Sequence, residues 1–229
     1  MKKKYSIKTI TFWVLLVSLA GSIVFAAIKT AITPSTSNIL VEGERLRSDY
    51  VLMLTQCTLG LVVVFLPSLL ERRFHISFPS YMCVMYFVFL YCAIYLGEVR
   101  SFYYLIPHWD TMLHALSAMM LGTLGFSLVT ILNDAPHTHV NLSPRFVALF
   151  AFCFALTVGA LWEIYEFSFD GLLGMNMQKF RLEDGTQLIG RSALSDTMKD
   201  IITDALGALL VSVVGASTLK KKKEVDPVA

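Results

Sequence analysis

Three groups of residues in this 229-residue chain have the types and spacing to do chemistry. Asp110 and His114 stand four apart, Glu163, Glu166 and Asp170 follow at intervals of three and four, and Asp196, Asp200 and Asp204 are four apart twice. Residues three or four apart share one face of a helix, so each group is a ridge of titratable side chains. Several carboxylates with one imidazole suit a hard divalent cation such as Mg²⁺ or Mn²⁺ better than zinc, which prefers nitrogen and sulfur. In that chemistry Glu163, Asp200 and Asp204 are the metal ligands. His114, oriented by Asp110 and accompanied by Glu166, is the general base or nucleophile, and Arg191 or Lys199 clamps a phosphate. Asp170 and Asp196 are secondary members of their ridges, and no organic cofactor is indicated.

The elements that carry these ridges must lie in a membrane. A composition of 55% hydrophobic and 16% charged residues, with mean hydropathy +0.63, does not suit an ordinary soluble domain. Nineteen basic and 17 acidic residues leave a net charge of +2, which provides no field for nucleic acid; membrane lipids are the expected partners. Cys57, Cys83, Cys92 and Cys153 lie inside apolar runs with no C-x-x-C pair, so they read as packing residues rather than disulfides or a zinc site. A spanning helix needs about 20 apolar residues. Cutting the chain at its charges gives six spans, 9–28, 50–70, 76–97, 111–132, 146–166 and 197–219. The expected fold is an all-α polytopic bundle forming a single integral membrane domain over 1–229. The first run exceeds the roughly 7–15 apolar residues of a cleaved signal core and reads as a span.

Basic residues orient the bundle, because Lys and Arg of short loops stay in the cytoplasm. Lys2, Lys3, Lys4, Lys8, Arg72, Arg73, Arg145 and Lys220 to Lys223 all fall on one side, which places both termini in the cytoplasm. The loops 29–49 and 171–195 are then outside, and the second is long enough to suggest a functional role. The turn from Asn133 to Pro144 is inside, and its His137 and His139 read as solvated. Trp109 and Trp162 mark the outer aromatic belt. Asp110 and Asp196 also suit helix N-termini, where acids complement the macrodipole. Asp204 lies about 12 Å below Asp196 at 1.5 Å per residue. Burying such charges in lipid costs at least about 2.5–3.5 kcal/mol each, so the ridges should face one another or a watery cavity. Some of these acids must then take protons, bind a cation, or pair with Arg181, Arg191 or Lys199.

The ordered motifs His108-Trp109-Asp110-Thr111-Met112-Leu113-His114, Leu161-Trp162-Glu163-Ile164-Tyr165-Glu166-Phe167, Asp196-Thr197-Met198-Lys199-Asp200 and Ala205-Leu206-Gly207-Ala208 resemble the YjdF family of bacterial inner-membrane proteins over residues 75–215. More distantly, Asp110, His114, Arg191, Asp200 and Gly207 are similar to the pattern of VanZ-like proteins, with Asp204 in place of an asparagine. That likeness implies an enzyme acting on lipid head groups. The Asp-x3-Asp ridge resembles that of phosphatidyl-alcohol transferases, but Asp170-Gly171 is followed by Leu-Leu-Gly-Met rather than their further motif. Transport and a non-catalytic scaffold or sensor are the competing classes. A continuous transport route is disfavoured because the acids stop in the outer half and spans one to three carry no interior charge.

The topology makes a direct prediction. Cysteines introduced at Ser37 and Thr186 should react with an impermeant maleimide in intact cells, and one at Lys222 should not; the reverse labelling pattern would invert the bundle.

Overall fold

The computed structural model describes residues 6–34, 45–75, 77–134, 142–182 and 186–225. His137 and His139 lie outside the described residues, as does most of the 29–49 loop. Six stretches are helical, long and apolar enough to cross a membrane, and among the described residues the only strand-like pairing is one isolated bridge between Arg181 and Gln187. The helices are α1 (Ile7–Ile32), α2 (Arg47–Val63), α3 (Leu66–Phe74), α4 (Ser80–Leu90) continued by a π-helical segment (Tyr91–Val99), α5 (Phe102–Leu105), α6 (Trp109–Asp134), α7 (Pro144–Leu173) and α8 (Arg191–Val225). All six expected spans are present. Two bounds differ in a way that matters: α7 runs on to Leu173 and α8 begins at Arg191, so the loop expected over 171–195 shrinks to the connector 174–190. The chain divides into two compact units, one of residues 1–110 with 169–188, the other of 111–168 with 189–229.

In the first unit α1, α2 and α4 close on a core of Leu15, Leu19, Met53, Cys57, Cys83, Phe87 and Leu90. Gly60 lies at the crossing, where a Cβ would stand 2.5 Å from the end of the Ile94 side chain and 3.2 Å from that of Leu19 and would make both shift. The second span is broken between α2 and α3. Pro67 lacks the amide that would bond to the Val63 carbonyl and its ring clashes with that carbonyl. The freed Val63 oxygen accepts instead from the Tyr86 hydroxyl at 2.7 Å, which meets the requirement that backbone polar groups in lipid be satisfied within the protein. The third span widens into the π-helical segment, closed by Arg100 N–H donating to Tyr95 O at 2.9 Å. Arg45 grips its end, donating to the Glu98 and Val99 carbonyls at 3.1 and 3.2 Å and to the Ser101 hydroxyl.

In the second unit the helices approach through small residues, as membrane helices commonly do. A Cβ on Gly125 of α6 would lie 3.0 Å from the Ala151 Cα of α7; one on Gly207 of α8 would lie 3.1 Å from both the Ala115 carbonyl oxygen and the Ala118 Cβ of α6. Large apolar side chains such as Leu149, Leu161, Ile164, Phe167, Ile202 and Leu206 point outward and are exposed, the arrangement expected of a lipid-facing surface. Cys57 and Cys83 are core residues, whereas Cys153 is exposed.

Gly207 sets the α6–α8 distance, and its replacement should show this. Gly207→Val should destabilise the protein in detergent by about 1–3 kcal/mol, the usual cost of overpacking. Gly171→Val, at a position with nothing within 4 Å of its would-be Cβ, should unfold like the parent.

Candidate functional site

Each helix of the second unit delivers one part of the site. From α6 comes His114, from α7 Glu163, and from α8 Asp200 and Asp204; all four are buried, at 8, 4, 3 and 2% exposure. The ridges therefore face inward, as the cost of placing charge in lipid requires. One ligand atom each from His114, Glu163 and Asp200 lie within 4.8 Å of one another. A cation with bonds of about 2.1 Å spans ligand pairs up to about 4.2 Å apart, so small side-chain rotations would close this set on an ion. His114 Nε2 faces Glu163 Oε1 at 3.9 Å, while Nδ1 stands 3.3 Å from both Asp204 oxygens.

The partner of Nδ1 is thus a carboxylate from another helix, not the i−4 neighbour Asp110 expected from spacing. Two glycines make that meeting possible. Gly207 lets α8 settle on the α6 backbone at Ala115, one residue beyond His114. Gly159, one turn before Glu163 on α7, leaves the room that Asp204 occupies: a Cβ there would overlap Asp204 Oδ2 and sit 2.9 Å from its Cγ. Gly159 was missed from sequence. A glycine inside a helix four residues before a buried acid is the signal that could have found it, since it costs helix stability and invites a packing reason.

The remaining expected site residues divide. Asp110 is half-buried in the first turn of α6, where a carboxylate complements the helix N-terminus. Asp196 is half-buried, but the N-terminal role considered for it does not hold, because α8 starts five residues earlier and Asp196 lies in the second turn. Glu166 is half-buried three residues after Glu163, and Arg191 and Lys199 are exposed. Asp170 belongs to the first unit, where it holds the connector: Met177 N–H donates to Oδ1 at 2.7 Å and Gln178 N–H to Oδ2 at 3.0 Å. Buried Asn176 braces the same connector, accepting from Arg181 N–H at 2.9 Å and donating to the Arg181 carbonyl at 2.7 Å. Arg181 does pair with an acid, Asp49 at 3.3 Å, within the first unit.

The second unit buries four titratable side chains together, His114, Glu163, Asp200 and Asp204. Arg145, Arg191, Lys199 and Lys220 are all exposed. Immediately below the cluster, Ala118, Ala155 and Ala208 are buried at 1% exposure or less. Alanines thus pack next to the cluster on all three helices.

Comparison with known proteins adds a family. A model described as "Predicted membrane protein (DUF2238)" matches residues 11–221, nearly the whole chain. An uncharacterized protein of Thermotoga maritima is 26% identical over 155 residues, covering 66% of this chain and 69% of that one. No solved structure matches.

The role found for Asp170 is testable. Asp170→Ala leaves the amides of Met177 and Gln178 without their acceptor, at a cost of about 1–3 kcal/mol, and limited trypsin digestion should cut faster at Lys179 and Arg181. An unchanged cleavage rate would show that the connector is held without this carboxylate.

Proposed function

Because the chain belongs to that DUF2238 family of membrane proteins, we propose that it is a divalent-cation-dependent membrane enzyme acting on a phosphate ester of a lipid head group. It would work at the outer leaflet of a bacterial inner membrane, with both termini cytoplasmic. The observation that carries the reading is charge. Three carboxylates and an imidazole are buried in one unit whose described Lys and Arg side chains are all exposed. Such a group is stable in a low-dielectric interior when protons, a cation or paired partners offset its negative charge, and the reading proposed is a cation. The spacing of His114, Glu163 and Asp200 suits a cation. One imidazole nitrogen with two carboxylate oxygens favours Mn²⁺ over Mg²⁺, which keeps to oxygen.

His114, Glu163 and Asp200 would hold the cation, which would supply Lewis-acid activation of a water and of the phosphate ester. Glu166, half-buried three residues after Glu163, would take the proton. Arg191 and Lys199, exposed on α8, supply positive charge for the phosphate. The motifs at Asp110, Glu163 and Asp196 support a YjdF-like member of the family, and the VanZ-like pattern supports lipid head groups as the substrate class. Transport is the weaker reading: one turn beyond His114 and Asp204 the buried residues are Ala118 and Ala208, and the next buried polar side chain on α8 is the uncharged Ser212.

The test is metal-dependent stability and turnover of the purified protein in phospholipid nanodiscs. Mn²⁺ should raise the melting temperature and support release of a head group or phosphate. Glu163→Gln and Asp200→Asn should each remove both effects, and His114→Gln should remove turnover while expression persists. A wild-type melting temperature that ignores Mg²⁺ and Mn²⁺ would leave proton sharing as the way the cluster is neutralised, and would end the cation reading.

A further inference from the structure

We infer that Asp204 is not a ligand of the proposed cation but the residue that positions His114 for it, and that Gly159 is the cradle that makes this possible. This rests on the cation reading above and assigns roles within that site. Three observations converge on it. First, His114 Nδ1 stands equidistant, at 3.3 Å, from both oxygens of Asp204. An ionised carboxylate can only accept a hydrogen bond, so a His114 positioned by Asp204 carries its ring proton on Nδ1 and its lone pair on Nε2. Second, Nε2 is the nitrogen that faces Glu163, and Glu163 with Asp200 completes the ligand-spaced trio to which Asp204 does not belong. The two ring nitrogens thus divide the carboxylates into one that orients and two that bind. Metal-ligating histidines nearly always donate their second nitrogen to such a partner, which fixes the tautomer and strengthens the ligand.

Third, the space for Asp204 is built. It is 2% exposed and its carboxylate occupies the volume that a side chain at residue 159 would take, overlapping any Cβ placed there. Glycine in a helix interior costs about 1 kcal/mol relative to alanine, so a structure that spends this at 159 gains the Asp204 position in return. The sequence order Gly159-x3-Glu163 puts cradle and ligand one turn apart on the same face of α7. A single helix therefore fixes both the carboxylate behind the imidazole and one in front of it.

Mn²⁺ alone is the probe, with the full-length protein in nanodiscs, using affinity from titration and the nitrogen hyperfine coupling of the bound ion. The wild type should bind one Mn²⁺ with a coupled imidazole nitrogen. Asp204→Asn should weaken binding by roughly 10–100-fold and change the nitrogen coupling, the range typical for loss of a ligand's orienting partner. Glu163→Gln and Asp200→Asn should abolish binding. Gly159→Ala retains every ionisable group but displaces the Asp204 carboxylate, and should reproduce the affinity loss and altered coupling of Asp204→Asn. Gly122→Ala, facing Val211 in the same unit, should change neither, which separates positioning from general loosening of the bundle. If Asp204→Asn binds Mn²⁺ like wild type, or abolishes binding as Asp200→Asn does, the positioning role is overturned while the cation site stands. If the wild type binds no Mn²⁺, the cation reading falls and this role falls with it.

Discussion

The packing of the second unit depends on keeping three carboxylates and an imidazole out of lipid and close to one another. His114, Glu163, Asp200 and Asp204 come from three helices, so none can be sheltered unless α6, α7 and α8 approach closely. Glycine and alanine make that approach possible at the places where the polar groups meet. Gly207 brings α8 onto the backbone of α6, Gly159 opens α7 for the Asp204 carboxylate, and Ala118, Ala155 and Ala208 close the interior beneath. Larger residues at these positions would separate the helices and leave charges facing hydrocarbon, where each costs several kcal/mol.

The first unit handles its polar groups differently. There the polar contacts serve helix ends, turns and the connector. The Val63 carbonyl freed by Pro67 is met by Tyr86, and the end of the π-helical segment is held by Arg45. Asp170 accepts two connector amides, and Arg181 is paired with Asp49. These contacts repair backbone irregularities that a bilayer would otherwise leave unsatisfied. Polar side chains that mend the backbone differ in kind from the carboxylates and imidazole gathered at one point in the second unit.

Asp170 and Asp204 show how similar sequence contexts part company. Both are members of helical ridges with acids at three or four residues. Asp170 sits where α7 ends, so nearby amides of the connector claim its oxygens. Asp204 sits mid-helix, where the backbone amides are already used in the helix, and its carboxylate must turn to a side chain on another element. The same reasoning separates Asp110 from Asp196: the first lies at a helix start with free amides nearby, the second does not.

Much of this protein was legible in the chain. Hydropathy and charge placement located all six spans, because the bilayer thickness sets a minimum apolar length that composition reveals directly. Helical periodicity identified His114, Glu163, Asp200 and Asp204 as inward-facing, because a charge in lipid is too costly to face outward. The start of α8 at Arg191 was not legible, since Arg191 to Ser195 is polar enough to read as loop and becomes helix through its place in the longer element. Nor did spacing alone decide which carboxylate meets the imidazole. An i,i+4 neighbour is always close on a helix, whereas a partner from another helix depends on how near the two backbones come. That nearness is a property of side chains that are missing, at Gly159 and Gly207, and an absent side chain acquires meaning only when the tertiary structure shows what fills its place.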